Sequence, residues 1–348
     1  MIVTNNKKIH IECLRILAIF FVIFNHTGTT GFQYYTTLNF SMKYILCSSL
    51  SVLCTVAVPL FFMISGALLL KKDESFKKIL KRITRIFFVL VLTSLFYYII
   101  SADNFNQLSI IDFIRIIYTD TMTTPLWYLY AYLAFLFTLP FLRLIARNMK
   151  DNDFKYLIIL SLLFFVGRSV IAGLTGYWLN KNFSILFIES TIYYPLIGYY
   201  VEHRLDIKKF KKIHMILIFI LLIINIFVGS LFNYLQILRS TNSLDQTFLS
   251  SFNSINAIIV YIFIKFILNK VEISIFLKKI VNLVGGCTFG IYLIEEFLRS
   301  KLYWRFYNFI NIIFGNMITS ILSVICCIFI GTLFIFLLKK LPVIKNLL

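Results

Sequence analysis

The sequence predicts an all-α integral membrane protein with about ten transmembrane helices and both termini in the cytoplasm. Three observations support this class. Of the 348 residues, 60% are hydrophobic and only 14% are charged, a balance that soluble domains do not have. Apolar runs of roughly twenty residues, the length needed to cross a bilayer, recur along the whole chain. Short connections rich in lysine and arginine alternate with connections that contain few of these residues.

Ten apolar segments account for most of the chain. They cover residues 11–30, 45–70, 83–101, 125–146, 154–176, 185–201, 214–232, 248–268, 281–298 and 313–338. The first segment contains Glu12, Arg15 and His26 and has no small-residue cleavage site after it, so we interpret it as a span and not as a signal peptide. We predict one transmembrane domain over residues 1–348, surrounded by membrane lipid, without an appended soluble domain.

The distribution of basic residues predicts the orientation. Of 34 lysines and arginines, 24 lie in one set of alternate connections, beginning with Lys7 and Lys8. Seven lie in the opposite set, which includes Lys43 and Lys181. Short cytoplasmic loops hold the excess of positive charge in membrane proteins. The asymmetry therefore predicts an even number of spans, a plasma-membrane location, and a net charge of +19 that reflects topology and not a nucleic-acid partner.

The six cysteines all lie in apolar segments. They form no CxxC pair and show no metal-ligand spacing. We interpret them as packing residues and predict no metal site.

Ionisable residues inside the spans are candidates for function, because each is costly there unless it is paired or faces water. Arg15 and His26 lie eleven residues apart in the first segment. On a helix this spacing places both on one face, roughly 16 Å apart along the axis. Arg15 would lie near the cytoplasmic surface and His26 deep or towards the outer half. A neutral imidazole can accept a proton from a hydroxyl, although a histidine that bonds a neighbouring helix explains His26 equally well.

Arg82 and Arg85 lie one helical turn apart beside a basic loop. Two guanidiniums in this relation can bind phosphate oxygens. Charges that only set the topology are the alternative explanation.

Two further groups are less specific. Ser65 and Gly66 allow either close helix packing or room for a ligand. Trp127 and Tyr128 belong to an aromatic cluster that an interfacial belt also explains.

Arg168 lies in the fifth segment, and Glu189, Glu295 and Glu296 lie in the sixth and ninth. Opposite charges at comparable depth favour pairing. We predict that Arg168 neutralises one of these three glutamates.

Several of these residues occur together in one known family. The motifs, in chain order, are Arg-x10-His at Arg15 and His26, FFMISG ending at Ser65 and Gly66, Arg-x-x-Arg at Arg82 and Arg85, PLWYL at Trp127, and GIYLIE around Tyr292. In their order and spacing the chain resembles acyltransferase family 3. These membrane enzymes acylate cell-surface polysaccharides, peptidoglycan, antibiotics and related acceptors.

The resemblance implies a catalytic role for His26, as a general base or a transient acyl carrier, and places Arg15 with it. It implies that Arg82 and Arg85 bind the phosphates of a cytoplasmic acyl-CoA, with acetyl-CoA the expected donor and Ser65 and Gly66 nearby. The expected acceptor is a surface glycan or another hydroxyl compound. The residues that we expect to contact it are Trp127, Tyr128, Glu189, Tyr292 and Glu295.

One position departs from the family pattern. The ninth span usually reads Tyr-Leu-x-His, and Glu295 stands in the histidine position here. The role of that histidine therefore does not carry over. Because no esterase-like domain follows, transfer is expected to be direct or to involve a separate extracytoplasmic partner protein.

The sequence leaves a second function open. A transporter or flippase of a lipid-linked saccharide or polysaccharide would also need polar residues in its spans and a basic cytoplasmic face. A receptor or a purely structural protein would leave Arg15 and His26 unexplained.

Overall fold

A computed structural model describes residues 8–102, 109–180, 182–183, 185–239, 249–313 and 315–348. Within these ranges all regular structure is helical, which confirms the predicted all-α class. Lys7 and Lys181, which enter the charge count, and Phe248, where one predicted span begins, lie outside the described residues.

The described part of the chain contains sixteen α-helices. They are α1 (Ile9–Asn25), α2 (Met42–Cys54), α3 (Ala57–Leu69), α4 (Phe76–Ser101), α5 (Ile110–Thr119), α6 (Trp127–Asn148), α7 (Asp151–Ser161), α8 (Arg168–Thr175), α9 (Ser190–His203), α10 (Lys212–Arg239), α11 (Asn253–Lys270), α12 (Ile275–Leu293), α13 (Glu295–Leu298), α14 (Trp304–Ile310), α15 (Asn316–Leu338) and α16 (Pro342–Leu347). Helices α2 and α3 together form one membrane span, as do α7 and α8.

Eight helical segments in the described part of the chain are long and apolar enough to cross a membrane. They correspond to eight of the ten predicted spans. The other two predicted spans are the shorter helices α1, with 17 residues, and α9, with 14 residues. The protein is therefore a multi-pass membrane protein, while the placement of its termini in the cytoplasm stays a prediction.

Helix α1 lies inside the bundle and contacts α3, α11, α12 and α15. Its side chains Leu14, Ala18, Ile19, Ile23 and Phe24 are completely buried. Burial on several sides explains why a helix shorter than the bilayer is tolerated here, because α1 meets protein for much of its length. Helices at the periphery differ: α10 exposes a row of isoleucine and leucine side chains, as expected for a face in contact with lipid.

The closest helix contact in the bundle joins α3 and α9. A Cβ atom added to Gly66 would lie 2.0 Å from the carbonyl oxygen of Pro195, and one added to Gly198 would lie 2.0 Å from that of Met63. Each glycine thus admits the backbone of the opposite helix, the small-residue packing common in membrane proteins. This contact gives Gly66 a packing role, and its expected role near the donor stays a prediction.

The bundle has two distinct ends. At the end that we call the basic end, α1 and α4 begin and α3, α6 and α9 finish, and ion pairs such as Arg143 with Glu74 and Lys8 with Glu202 connect them. At the opposite end, called the far end, α1 finishes at Asn25 and α6 begins at Trp127.

The chain is irregular where α12 ends at the far end. Helix α12 stops at Leu293, α13 begins at Glu295, and a π-helical turn follows over Arg299–Tyr303. Short π-helical insertions are frequent at functional sites. The irregularity changes the direction of the side chains after Leu293, and Glu295 becomes completely buried.

Candidate functional site

A cavity at the basic end collects positively charged side chains. Its volume is about 350 Å³, and its lining includes Arg15, Lys72, Arg82 and Arg85. No aspartate or glutamate side chain belongs to its described lining. We call it the basic cavity. The predicted pair Arg82 and Arg85 therefore shares one site with Arg15, which the sequence had placed with His26.

Arg15 is held in place by a buried carboxylate. Its Nη1 atom lies 2.9 Å from Oε1 of Glu12, which is 2% exposed. A Cβ atom at Gly285 would come within 2.4 Å of Oε2 of the same glutamate. The absence of a side chain on α12 at this point thus makes room for Glu12, and Glu12 orients Arg15.

Arg82 is held by an ion pair of its own. Its Nη2 atom lies 2.6 Å from Oε1 of Glu74, and Nη2 of Arg143 lies 2.9 Å from Oε2 of the same carboxylate. Arg143 also donates a hydrogen bond through Nε to the carbonyl of Leu69. Arg85 differs, because it forms no ion pair with any described residue and leaves its guanidinium available to a ligand.

The charge state of Glu74 follows from these contacts. Partial burial alone would raise the pKa of its carboxyl group. The hydrogen bonds from Arg143 and Arg82 outweigh this effect and hold the pKa below its ordinary value. Glu74 therefore remains a carboxylate near neutral pH, and it ties the loop before α4 to α6.

A second cavity, of about 540 Å³, lies at the far end and contains His26. Asn25, Trp127, Tyr194 and Asn253 also line it. We call it the His26 cavity. Asn25 donates a hydrogen bond from Nδ2 to the carbonyl of Cys54, while its buried Oδ1 has no partner among the described residues. The cavity thus contains an oriented but unused hydrogen-bond acceptor beside His26.

Three aromatic residues separate the two cavities. Phe61, Tyr128 and Tyr292 line both of them. The ring of Tyr128 lies 5.9 Å from that of Phe61 and 5.6 Å from that of Tyr292, between ring centres. The hydroxyl of Tyr292 donates a 2.6 Å hydrogen bond to the carbonyl of Pro125. We call these three side chains the aromatic wall.

His26 forms an ion-pair contact with Glu295. The distance from Nδ1 of His26 to Oε1 of Glu295 is 3.1 Å, although the two groups are not aligned for a hydrogen bond. Glu295 is 0% exposed, and its Oε2 atom has no partner among the described residues. The other ring nitrogen, Nε2, is not sealed by protein and stays accessible from the cavity. A carboxylate at one imidazole nitrogen with a free second nitrogen is the arrangement of a general base and its orienting group.

Arg299 lies close to Glu295 and forms an ion pair with Glu296. Its Nε atom lies 3.8 Å from Oε1 of Glu295, and its Nη2 atom lies 2.5 and 2.6 Å from the two carboxylate oxygens of Glu296. The predicted pairing of Arg168 is wrong. Glu295 and Glu296 are paired with Arg299. Arg168 and the third glutamate, Glu189, are exposed, and neither forms an ion pair with a described residue.

The other predicted site residues divide into two groups. Ser65 lines the basic cavity, and Trp127 lines the His26 cavity. Tyr128 and Tyr292 belong to the aromatic wall and line both cavities. Glu189 is exposed and lies outside the lining of either cavity, so its position does not support the predicted contact with the acceptor.

The sequence prediction missed several residues that hold the site. Glu74, Arg143, Arg299 and Asn25 were not singled out. A signal existed for Glu74, because it lies with Asp73 inside an otherwise basic loop. Nothing in the sequence indicates which span Arg143 or Arg299 would meet.

Comparison with known families identifies one that matches most of the chain. The family model of the acyltransferase 3 type, described as an acyltransferase domain, matches residues 9–340. The chain belongs to this family. The resemblance noted in the sequence is thus confirmed, and the protein is a membrane acyltransferase. No curated protein and no solved structure matches the chain.

Proposed function

We propose that this acyltransferase moves an acyl group, expected to be acetyl, from a cytoplasmic acyl-CoA to a hydroxyl of a surface glycan or a related acceptor at the plasma membrane. One observation carries the proposal. Two chemically different cavities lie towards opposite ends of α1, and the aromatic wall lines both of them.

The basic cavity suits the donor. Coenzyme A carries several phosphate charges, and four cationic side chains line this cavity without an aspartate or glutamate side chain in the described lining. Arginine binds phosphate through two parallel hydrogen bonds, and Arg85 has no ion-pair partner among the described residues that would compete. The basic loops at this end would also attract an anionic donor by their long-range field.

The His26 cavity suits the chemistry. In the proposed reaction Nε2 of His26 accepts the proton of the acceptor hydroxyl while the hydroxyl oxygen attacks the thioester carbonyl carbon. The carbon–sulfur bond then breaks, and the sulfur leaves as the coenzyme A thiol after taking a proton from the imidazolium. Glu295 beside Nδ1 would stabilise the imidazolium that forms between the two steps. The products are the acyl ester and free coenzyme A.

A binding measurement tests the donor site. We expect purified protein to bind acetyl-CoA with micromolar affinity in calorimetry. The double variant Arg82→Ala and Arg85→Ala should lose at least about tenfold in affinity, since it removes two phosphate-binding groups. A matched control, Lys77→Ala with Lys78→Ala, removes two charges from the same helix without touching the cavity and should bind normally.

The same preparation tests the catalytic assignment. His26→Ala should keep acetyl-CoA binding, while coenzyme A release in the presence of envelope polysaccharide should fall about 10²- to 10⁴-fold, the usual contribution of a general base. If folded wild-type protein binds neither acetyl-CoA nor longer acyl-CoAs, the proposal fails and a transporter that exports its saccharide unmodified becomes the better explanation.

A further inference from the structure

A third cavity lies at the far end, apart from the two cavities that the proposed reaction uses. Its volume is about 600 Å³, within the range of small-molecule sites. It lies between the end of α4, the segment 120–124 before α6, and the turn after α13. We call it the outer cavity.

The outer cavity lies next to the His26 cavity, because Thr124 belongs to the lining of both. Arg299 lines the outer cavity and lies 3.8 Å from Glu295, the partner of His26. A molecule bound in the outer cavity would therefore lie close to the His26 and Glu295 pair.

The charges of the outer cavity differ from those of the basic cavity. Asp120 and Glu296 supply two carboxylates, and Arg299 and Lys301 supply two cations, so the charged lining sums to zero. The basic cavity has four cationic side chains and no aspartate or glutamate side chain in its described lining. The outer cavity is therefore not suited to a second phosphate-rich ligand.

Its polar groups are arranged for a neutral ligand with many hydroxyls. Asp120 accepts a hydrogen bond from the backbone N–H of Thr121 at Oδ1 and keeps Oδ2 as an acceptor. Lys301 forms no ion pair with a described residue and can act as a donor. The buried hydroxyl oxygen of Thr123 has no partner among the described residues. Glu296 is fixed by Arg299, which holds its carboxylate in one position. Sugar hydroxyls both donate and accept hydrogen bonds and can satisfy such a mixed set.

We propose that the outer cavity binds a sugar unit of the acceptor and so places the adjoining unit beyond Thr124, which lines both cavities, with a hydroxyl at Nε2 of His26. This inference rests on the proposed function and gives it a substrate class: an acceptor with at least two linked sugar units. No bond is made or broken in the outer cavity itself, since the acyl transfer takes place at His26.

Direct binding tests the inference separately from acyl transfer. Oligosaccharides of two to four units, released from the envelope of the producing cells, are titrated into the wild-type protein without acyl-CoA. We expect saturable binding that Asp120→Ala and Lys301→Ala each weaken by about tenfold, since each loses a hydrogen bond to a charged group. Arg115→Ala removes an exposed charge from the neighbouring helix α5, outside the cavity, and should bind like wild type.

The outcomes separate the possible ligands. Normal acetyl-CoA binding by each variant shows that it is folded. Inorganic phosphate that displaces the oligosaccharide would indicate an anion site and overturn the inference, as would unchanged affinity in both Asp120→Ala and Lys301→Ala, or absence of binding by wild type. Oligosaccharide binding without any acyl-CoA binding would support the sugar site and contradict the proposed acyl transfer.

Discussion

Two buried carboxylates lie at opposite ends of the bundle, and their surroundings differ. At the basic end, Oε1 of Glu202 lies 2.6 Å from Nζ of Lys8. Its Oε2 atom lies 3.1 Å from His10, 3.1 Å from the hydroxyl of Tyr261 and 3.3 Å from Nζ of Lys265. At the far end, Glu295 is equally buried.

The two carboxylates differ in how many of their oxygen atoms have hydrogen-bond or ion-pair partners. Both oxygens of Glu202 are bonded, and Lys265 also donates to the backbone carbonyls of Val201 and Glu202. Glu295 has His26 and Arg299 near one oxygen and no described partner at the other. A buried polar atom without a partner costs free energy, and such atoms need an explanation. The fully bonded cluster around Glu202 joins α1, α9 and α11. The incompletely bonded cluster around Glu295 includes His26, which lines the His26 cavity.

The sharpest test of this contrast is Glu295→Gln. The amide keeps the shape but cannot stabilise an imidazolium, so transfer should fall by about 10²- to 10⁴-fold. Thermal stability should stay close to that of wild type, because a poorly compensated buried charge is removed. Coenzyme A release and a melting curve on the same sample measure both. Transfer at the wild-type rate would remove Glu295 from the mechanism.

The opposite result is expected for Glu202→Gln. The change leaves Lys8, His10 and Lys265 without their common carboxylate, and loss of one partner in a buried ion pair typically costs about 3 to 5 kcal/mol. The unfolding free energy in detergent should fall by this amount, while acetyl-CoA affinity and transfer per folded molecule stay unchanged. Glu272→Gln, at an exposed position, is the control. A fully stable but inactive Glu202→Gln protein would reverse the comparison.

Glu74 is expected to give a smaller and pH-dependent effect. Its pKa in the folded protein is below the ordinary value, so its contribution to stability is present above the pKa of the unfolded chain and is lost as the pH falls towards the folded value. Its charged hydrogen bonds are worth about 1.5 to 3 kcal/mol.

Unfolding of wild type and Glu74→Gln should therefore be compared between pH 7 and pH 3. We expect the two proteins to differ at pH 7, and the difference to shrink once the pH falls below the ordinary carboxyl pKa and towards the lower pKa of folded Glu74. A difference that stays constant over this range would show that Glu74 contributes through packing and not through its charge.

The sequence was sufficient for features that depend on local spacing. The length of the apolar segments predicted the helices, because the bilayer thickness sets that length. The spacing of Arg15 and His26 placed both on one helix that faces the two cavities, and the spacing of Arg82 and Arg85 placed both in the lining of the basic cavity. In each case the residues involved lie within a few helical turns of one another.

Contacts between distant segments could not be predicted in this way. The sequence identified Glu295 as a departure from the family pattern, but its contact with His26 depends on the irregular end of α12. Gly66 was assigned to the donor site because a small residue fits either a ligand or a helix, and only the position of α9 decides between them. Arg168 was paired by sign and depth alone, and Arg299 was closer to the glutamates.

The aromatic wall has a consequence for the membrane itself. A water-filled passage that ran from the basic cavity to the His26 cavity would conduct protons and dissipate the electrochemical gradient across the bilayer. Phe61, Tyr128 and Tyr292 line both cavities, so any such passage would have to run between their rings. In the proposed transfer the acyl group has to pass these rings while ions are kept back.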